Sequence, residues 1–220
     1  TTPTPRGRAA AASRSPPRHV SDTPVIAGAV RTPIGAFMGA LSSVPATQLG
    51  SLVIREALDR AGVAGDQVDD VLMGNILQAG LGQGPARQAA VGAGLPVDVP
   101  ATTINMLCGS GLRAVGMAAQ AIRAGDAGVV VAGGMENMSL APHVAYVRQG
   151  QRLGDVAMRD TLIADGLWCA LTDQHMGSTA ERVAEQFGVS REEQDAFAAE
   201  SQRLAGLALE PEHFRDEIVA

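Results

Sequence analysis

Apolar residues recur along this chain in two alternating rhythms. Pro24–Arg31 (PVIAGAVR) is a short, nearly continuous apolar run closed by Thr32-Pro33, and it predicts a buried strand. Over Thr47–Arg60 the spacing lengthens: Leu49, Leu52, Val53, Ala57 and Leu58 recur at helical intervals until Ala61-Gly62 stops them. Val68–Leu77 reads as a strand with a glycine interruption. Pro85–Gly94 reads as a small-residue helix with proline in its first turn. Ala101–Leu107 is strand-like, Gly109–Gly125 is a strong helix, and Gly128–Ala132 is a further strand opening into Gly133-Gly134. Strands alternating with helices imply βαβ units and a largely parallel sheet covered on both faces.

The rhythm breaks after Met135. Residues 136–174 are irregular, punctuated by Pro142, Gly150, Gly154 and Gly166. Two helices follow, each predicted to open on a capping box: Ser178-Thr-Ala-Glu181 and Ser190-Arg-Glu-Glu193. The second runs to about Leu209, and Phe214–Ala220 begins a strand. The expected organisation is a disordered tail over 1–23, an α/β domain over 24–138, and a mostly helical excursion over 139–220 that is incomplete.

Composition narrows the function. A chain of 220 residues, 46% hydrophobic, can bury a core, and its longest apolar stretches are far short of a membrane span. The formal net charge of −6 argues against nucleic acid as a partner. All 17 basic residues are arginine, which excludes a Schiff-base lysine and a phosphate-loop lysine. Cys108 and Cys169 are the two cysteines, fitting a reducing cytoplasm rather than a disulfide scaffold. The four His and two Cys show no metal-ligand spacing. The first 22 residues hold Arg6, Arg8, Arg14 and Arg18 against Asp22 and lack an apolar core segment, so they are not a secretory signal. They resemble either a disordered extension or an organellar transit peptide.

The sharpest chemistry lies at Asn105-Met-Leu-Cys108-Gly-Ser-Gly111-Leu112, where a strand-like run ends at a cysteine and a helix starts directly behind it. Leu112, Val115, Ala119 and Ile122 predict the apolar face of that helix. The positive end of a helix favours an anionic sulfur. The flanking glycines would let a substrate carbonyl reach backbone amides able to hold an oxyanion. Two other readings stand beside this one. Cys108 could be a buried small hydrophobe. Alternatively Gly109–Ala114 fits the relaxed G-x-G-x-x-A dinucleotide fingerprint of an oxidoreductase, although Asp126 is early and Glu136 late for the ribose acid. A serine-hydrolase elbow is excluded, because Ser110 lacks the G-x-S-x-G spacing.

Four segments in order carry a more specific signal: Val30-Arg-Thr-Pro-Ile-Gly35; Asn105–Leu112; Gly133-Gly-Met-Glu-Asn-Met-Ser139 with Ala141-Pro-His143; and His175-Met-Gly177. Together they resemble the thiolases, in the acetyl-CoA acetyltransferase branch, over about residues 24–220. The resemblance implies a thiolase-like βαβαβ layered fold, here its N-terminal half, with a mostly helical loop-domain insertion. It implies ping-pong acyl transfer: Cys108 attacks an acyl-CoA thioester, and the acyl group passes to a second acetyl-CoA or, in reverse, to CoA. The Cys108 amide would supply part of an oxyanion hole. Leu167, His175 and Met176 fall where the family lines its CoA and acyl pocket. No cofactor is implied, since acetyl-CoA and CoA are substrates. The expected partners are an acyl-CoA and further copies of the chain, with no membrane or nucleic acid. His143 and Glu136 read as structural, Glu136 as a hydrogen-bonding group rather than an acid catalyst. Cys169 departs from the family, many of whose members carry an acid after the Trp, and reads as a free structural thiol.

The family's G-H-P histidine, N-E-A-F asparagine and C-x-G cysteine have no counterpart here, and Cys169 is followed by Ala-Leu. Two expectations follow. Either the sequence is a fragment of an acyltransferase, inactive alone, or it is a short degraded or split-subunit half that binds and needs a partner chain for turnover.

Overall fold

The computed structural model describes residues 23–209 and 213–219. The expectation of a tail over 1–23 therefore falls almost wholly outside the described residues. Helix α1 (Ala46–Ala61) ends on Gly62 in the left-handed region, and strand β1 (Asp70–Gly74) follows. Helix α2 (Pro85–Gly92) opens with its proline at the first turn, where the missing N–H costs nothing. Strand β2 (Ala101–Ile104), helix α3 (Ser110–Ala124) and strand β3 (Val130–Gly134) complete the layer. The three strands are parallel in the order β2-β1-β3, with Gly74 opposite both Ile104 and Gly134.

Central strand β1 is buried on both faces, so its residues are apolar without alternation. Val71 and Met73 face one core with Ile54 and Leu58 of α1 and Ala86, Ala89 and Ala90 of α2. Leu72 faces the other with Ala114 and Ala118 of α3. The α/β reading and the parallel sheet between helices are thus what the chain forms.

Several expectations need correction. Pro24–Arg31 forms no strand of its own: Arg31 makes one bridge to Ile218, donating to the Glu217 carbonyl at 2.8 Å and accepting from Val219 N–H at 2.9 Å. An apolar run becomes a strand only against a neighbour, and the neighbour described here is this short segment. Val25 and Ile26 remain exposed. Phe214–Ala220 likewise contributes one bridge, anchored by an Arg31–Glu217 ion pair at 2.9 Å and by the Arg31 guanidinium 4.9 Å from the Phe214 ring. Finally, α3 is rotated from the expected face. It turns Ser110, Ala114 and Ala118 to the sheet and leaves Leu112 80% exposed and Val115 exposed.

Beyond β3 come two short antiparallel pairs. The first joins β4 (His143–Val144) to β5 (Arg159–Asp160), and the second joins β6 (Trp168–Cys169) to β7 (Gln174–His175). Helices α4 (Met176–Phe187) and α5 (Arg191–Ala208) follow, with no buried residue in either. The second capping box is present as expected: Ser190 Oγ accepts from Glu193 N–H and the Glu193 carboxylate accepts from Ser190 N–H at 2.8 Å. The first is not. Helix α4 starts earlier, capped by His175 Nδ1 accepting from Gly177 N–H at 3.1 Å, so Ser178 and Glu181 already lie inside the helix. No described helix is long and apolar enough to cross a membrane.

Candidate active site

Parallel α/β sheets collect their chemistry at the carboxyl ends of the strands. Here those ends lead into Asn75, Asn105 and Met135-Glu136. From β2 the chain turns through Asn105–Gly109 into α3, placing Cys108 exposed on the turn just before the helix. This is the strand–turn–helix elbow expected from the sequence. The alternative of a buried, space-filling cysteine does not describe an exposed thiol.

The turn is tightly bonded. Leu107 sits at φ 51°, a left-handed conformation that costs a leucine roughly 1–2 kcal/mol. It is held on both sides. Asn105 Oδ1 accepts from Leu107 N–H at 3.0 Å, and Ser110, 4% exposed, braces it from behind. Ser110 Oγ accepts from Met106 N–H at 2.8 Å and donates to the Leu107 carbonyl at 2.6 Å. The same carbonyl accepts from Ser110 N–H at 3.0 Å, and Gly109 N–H bonds the Met106 carbonyl at 3.2 Å. The amides of Gly109 and Ser110 are therefore occupied by the turn itself and do not serve a substrate oxygen, which revises the expected use of the glycine-flanked amides.

Glycines matter here for helix–sheet contact. A Cβ on Gly74 would lie 2.7 Å from Ser110 Cβ and 2.8 Å from Gly111 N, so the start of α3 rests directly on the β1 backbone. The sequence signal was visible as the glycine interrupting an apolar strand, which marks close backbone approach.

The Gly133–Ser139 segment gathers the surrounding loops. Glu136, half-buried, accepts from Asn75 Nδ2 at 3.1 Å, Ile76 N–H at 2.9 Å and Leu77 N–H at 3.2 Å. This is the hydrogen-bonding role expected of it. Asn137 Nδ2 donates to the carbonyls of Leu41, Ser42 and Val44, and Ser139 Oγ accepts from Met38 N–H at 2.8 Å. Asn75, 1% exposed and unremarked in the sequence, also donates to the Met135 carbonyl, tying the end of β1 to the end of β3.

Leu167, His175 and Met176 come together on a different element. Leu167 ends a π-helical turn over Leu162–Leu167, and Trp168 pairs with His175 across the β6–β7 ladder, so Leu167 and Met176 flank that rung. His175 spends its Nδ1 on capping α4. The turn approaches the carboxyl end of the sheet through Gly166, where a Cβ would touch Leu77 Cδ2 at 3.5 Å. The described hydrogen bonds join this hairpin to α4 and its own turn, and none joins it to the Cys108 elbow. Cys169 is half-buried on the same hairpin. The Thr172 side chain, then the backbone at Thr172 and Leu171, hydrogen-bond its sulfur and hold its thiol below the ordinary value.

A family model described as "Thiolase, N-terminal domain" matches residues 24–220. Among curated proteins, an "Acetyl-CoA acetyltransferase" of Pseudomonas aeruginosa is 57% identical over 195 residues, covering 88% of this chain and 50% of the relative. One of Cupriavidus necator is 56% identical over 196 residues, covering 89% and 50%. An "Acetyl-CoA acetyltransferase, cytosolic" of Rattus norvegicus is 54% identical over 199 residues, covering 90% and 50%. The chain spans about half the length of the curated relatives it matches.

Proposed function

Since the chain belongs to the thiolase family, we propose that it is the nucleophile-bearing half of a thiolase-type acyltransferase acting on acyl-CoA thioesters. The observation that carries this is the exposed Cys108 on a braced elbow at the carboxyl end of a parallel sheet. In the proposed reaction the Cys108 sulfur attacks the thioester carbonyl of acetyl-CoA. The tetrahedral intermediate collapses, CoA leaves with the proton, and the acetyl group stays on sulfur. A second acetyl-CoA, deprotonated at its methyl carbon, attacks that acetyl group to give acetoacetyl-CoA and free the thiol. Run backwards, CoA cleaves a 3-oxoacyl-CoA. No cofactor enters, because CoA is the carrier and the leaving group. Leu167, His175 and Met176 are assigned to the CoA and acyl pocket.

Both deprotonations need a base, and we assign that base to polypeptide beyond this sequence, in a continuation of the chain or in a partner chain. The exposed apolar side of α3, at Leu112 and Val115, and the unburied helices α4 and α5 support such a covering layer. On this reading residues 139–220 are part of a loop-domain insertion. The cytosolic designation of the rat relative supports a cytoplasmic setting.

The test is incubation of the 220-residue chain with acetyl-CoA, followed by peptide mass mapping and an assay for acetoacetyl-CoA. The expected result is acetyl on Cys108 and none on Cys169, with no steady turnover by the chain alone. Acetyl found on Cys169 overturns the assignment of the nucleophile, and Cys108-dependent turnover overturns the need for an external base. CoA binding without acetyl transfer makes the chain a binding half instead.

A further inference from the structure

We propose that Ser110 is a positioning residue for acyl transfer: its buried hydroxyl clamps the Leu107–Cys108 peptide unit so that the Cys108 N–H faces an oxyanion. The inference rests on Cys108 being the nucleophile and goes beyond it, because Ser110 touches neither the sulfur nor a substrate.

The argument follows from planarity. Leu107 C=O and Cys108 N–H belong to one trans peptide, so fixing the oxygen fixes the direction of the hydrogen at the other end. That oxygen accepts two bonds from one residue, from Ser110 Oγ at 2.6 Å and Ser110 N–H at 3.0 Å. The hydroxyl is bonded in turn by Met106 N–H at 2.8 Å, so it has one proton to give and one place to give it. Leu107 is held at φ 51°, where leucine does not rest unaided. Ser110 Cβ packs over Gly74 of β1, and the two bonds to Met106 N–H and the Leu107 carbonyl hold the hydroxyl in its rotamer. With the Gly109 and Ser110 amides spent on the turn, the Cys108 amide is the remaining donor at the sulfur's own residue. Its aim is set by this clamp and, from the exposed side, by Asn105 Oδ1 on Leu107 N–H.

Two reactions of the same sulfur separate positioning from folding. Acetyl transfer from p-nitrophenyl acetate forms the S–C(acyl) bond and breaks the ester C–O bond. The p-nitrophenolate takes the bonding pair and the thiol proton goes to solvent. This path passes through an oxyanion. Alkylation by iodoacetamide expels iodide and has no oxyanion. Both rates are measured at Cys108 by peptide mapping in a Cys169→Ser background, with circular dichroism on every variant. In the wild type the acetylation-to-alkylation ratio should exceed that of a free-thiol peptide of the same sequence, and an equal ratio overturns the proposal.

Ser110→Ala should slow acetylation roughly tenfold while alkylation stays within about twofold, part of the larger loss that follows deletion of an oxyanion donor. Both rates falling together, or neither falling, overturns the proposal. If Ser110→Ala does not fold, Asn105→Ala decides: a lowered ratio supports the clamp and an unchanged ratio overturns it. Acetylation by p-nitrophenyl acetate but not by acetyl-CoA would sink the acyl-CoA reading while leaving the clamp intact.

Discussion

Gly74→Ala places one methyl group where α3 meets β1. The new Cβ would lie 2.7 Å from Ser110 Cβ, and 2.8 Å from both Gly111 N and the Ser110 carbonyl carbon. Two of these three atoms belong to backbone, so no rotamer change relieves them. Restoring ordinary contact near 3.4 Å requires the start of α3 to lift by roughly 0.7 Å, and overpacking of this kind costs about 1–3 kcal/mol. The clash is with an anchored helix, so the upper part of that range, about 2–3 kcal/mol, is expected. For a chain of this size that lowers Tm by about 5–10 °C. The control is the same change on α3 itself, away from the contact with β1. Gly116 has nothing within 4 Å of its Cβ position. Gly116→Ala should therefore stabilise by about 0.5–1 kcal/mol through helix propensity. Urea unfolding followed by circular dichroism reads both. A Gly74→Ala midpoint within error of wild type, or equal losses from the two substitutions, would refute the helix-on-glycine contact.

Other perturbations test separate parts of the structure. Glu136→Gln turns an amide NH2 toward Asn75 Nδ2 or toward the amides of Ile76 and Leu77, setting donor against donor. It should cost about 1–3 kcal/mol in urea unfolding, and a neutral result would contradict the clasp. Leu112→Ser, at an exposed position, should change stability by no more than about 0.5 kcal/mol, whereas Ala114→Leu, with the alanine fully buried, should cost about 1–3 kcal/mol. The reverse order would restore the helix face expected from the sequence. The Ser190 backbone N–H, then its side chain, hold the Glu193 carboxyl below its usual range. Its contribution to α5 is thus complete above the unfolded glutamate value of about 4.3 and is lost as pH falls through the lower folded value. Circular dichroism should show helicity falling in acid, and Glu193→Gln, which removes the titrating carboxylate, should flatten that response.

What could be read in advance follows a physical division. Helices α1, α2 and α3 and strands β1 to β3 were legible because their apolar periodicity and their Pro and Gly stops act locally. Pro24–Arg31 failed because strand formation depends on a neighbour that its own residues do not specify. The start of α4 was misplaced by three residues, since a histidine ring supplied the cap expected from Ser178. Cys108 was legible as an elbow from its flanks. Ser110 and Asn75 were not, because their importance lies in bonds to backbone atoms on either side of a turn or on a neighbouring strand.

The misread face of α3 has a cause that bears on function. Periodicity ranks residues by size and picked Leu112, Val115, Ala119 and Ile122. The sheet selects small residues at the closest approach: with Gly74 and Gly134 bringing its backbone close to the helix, Ser110, Ala114 and Ala118 are buried against it, and Met117 packs at the edge of the same core. Leu112 and Val115 are thereby turned outward and exposed, while Ala119 and Ile122 stay half-buried. On the proposed reading, a further layer packs on the outward side at Leu112 and Val115. Cys108 stands at the N-terminal end of α3, where that layer would bring side chains to the sulfur from the direction opposite the sheet. On the proposed reading, that geometry is why this chain holds the nucleophile and its oxyanion donor while the base comes from elsewhere.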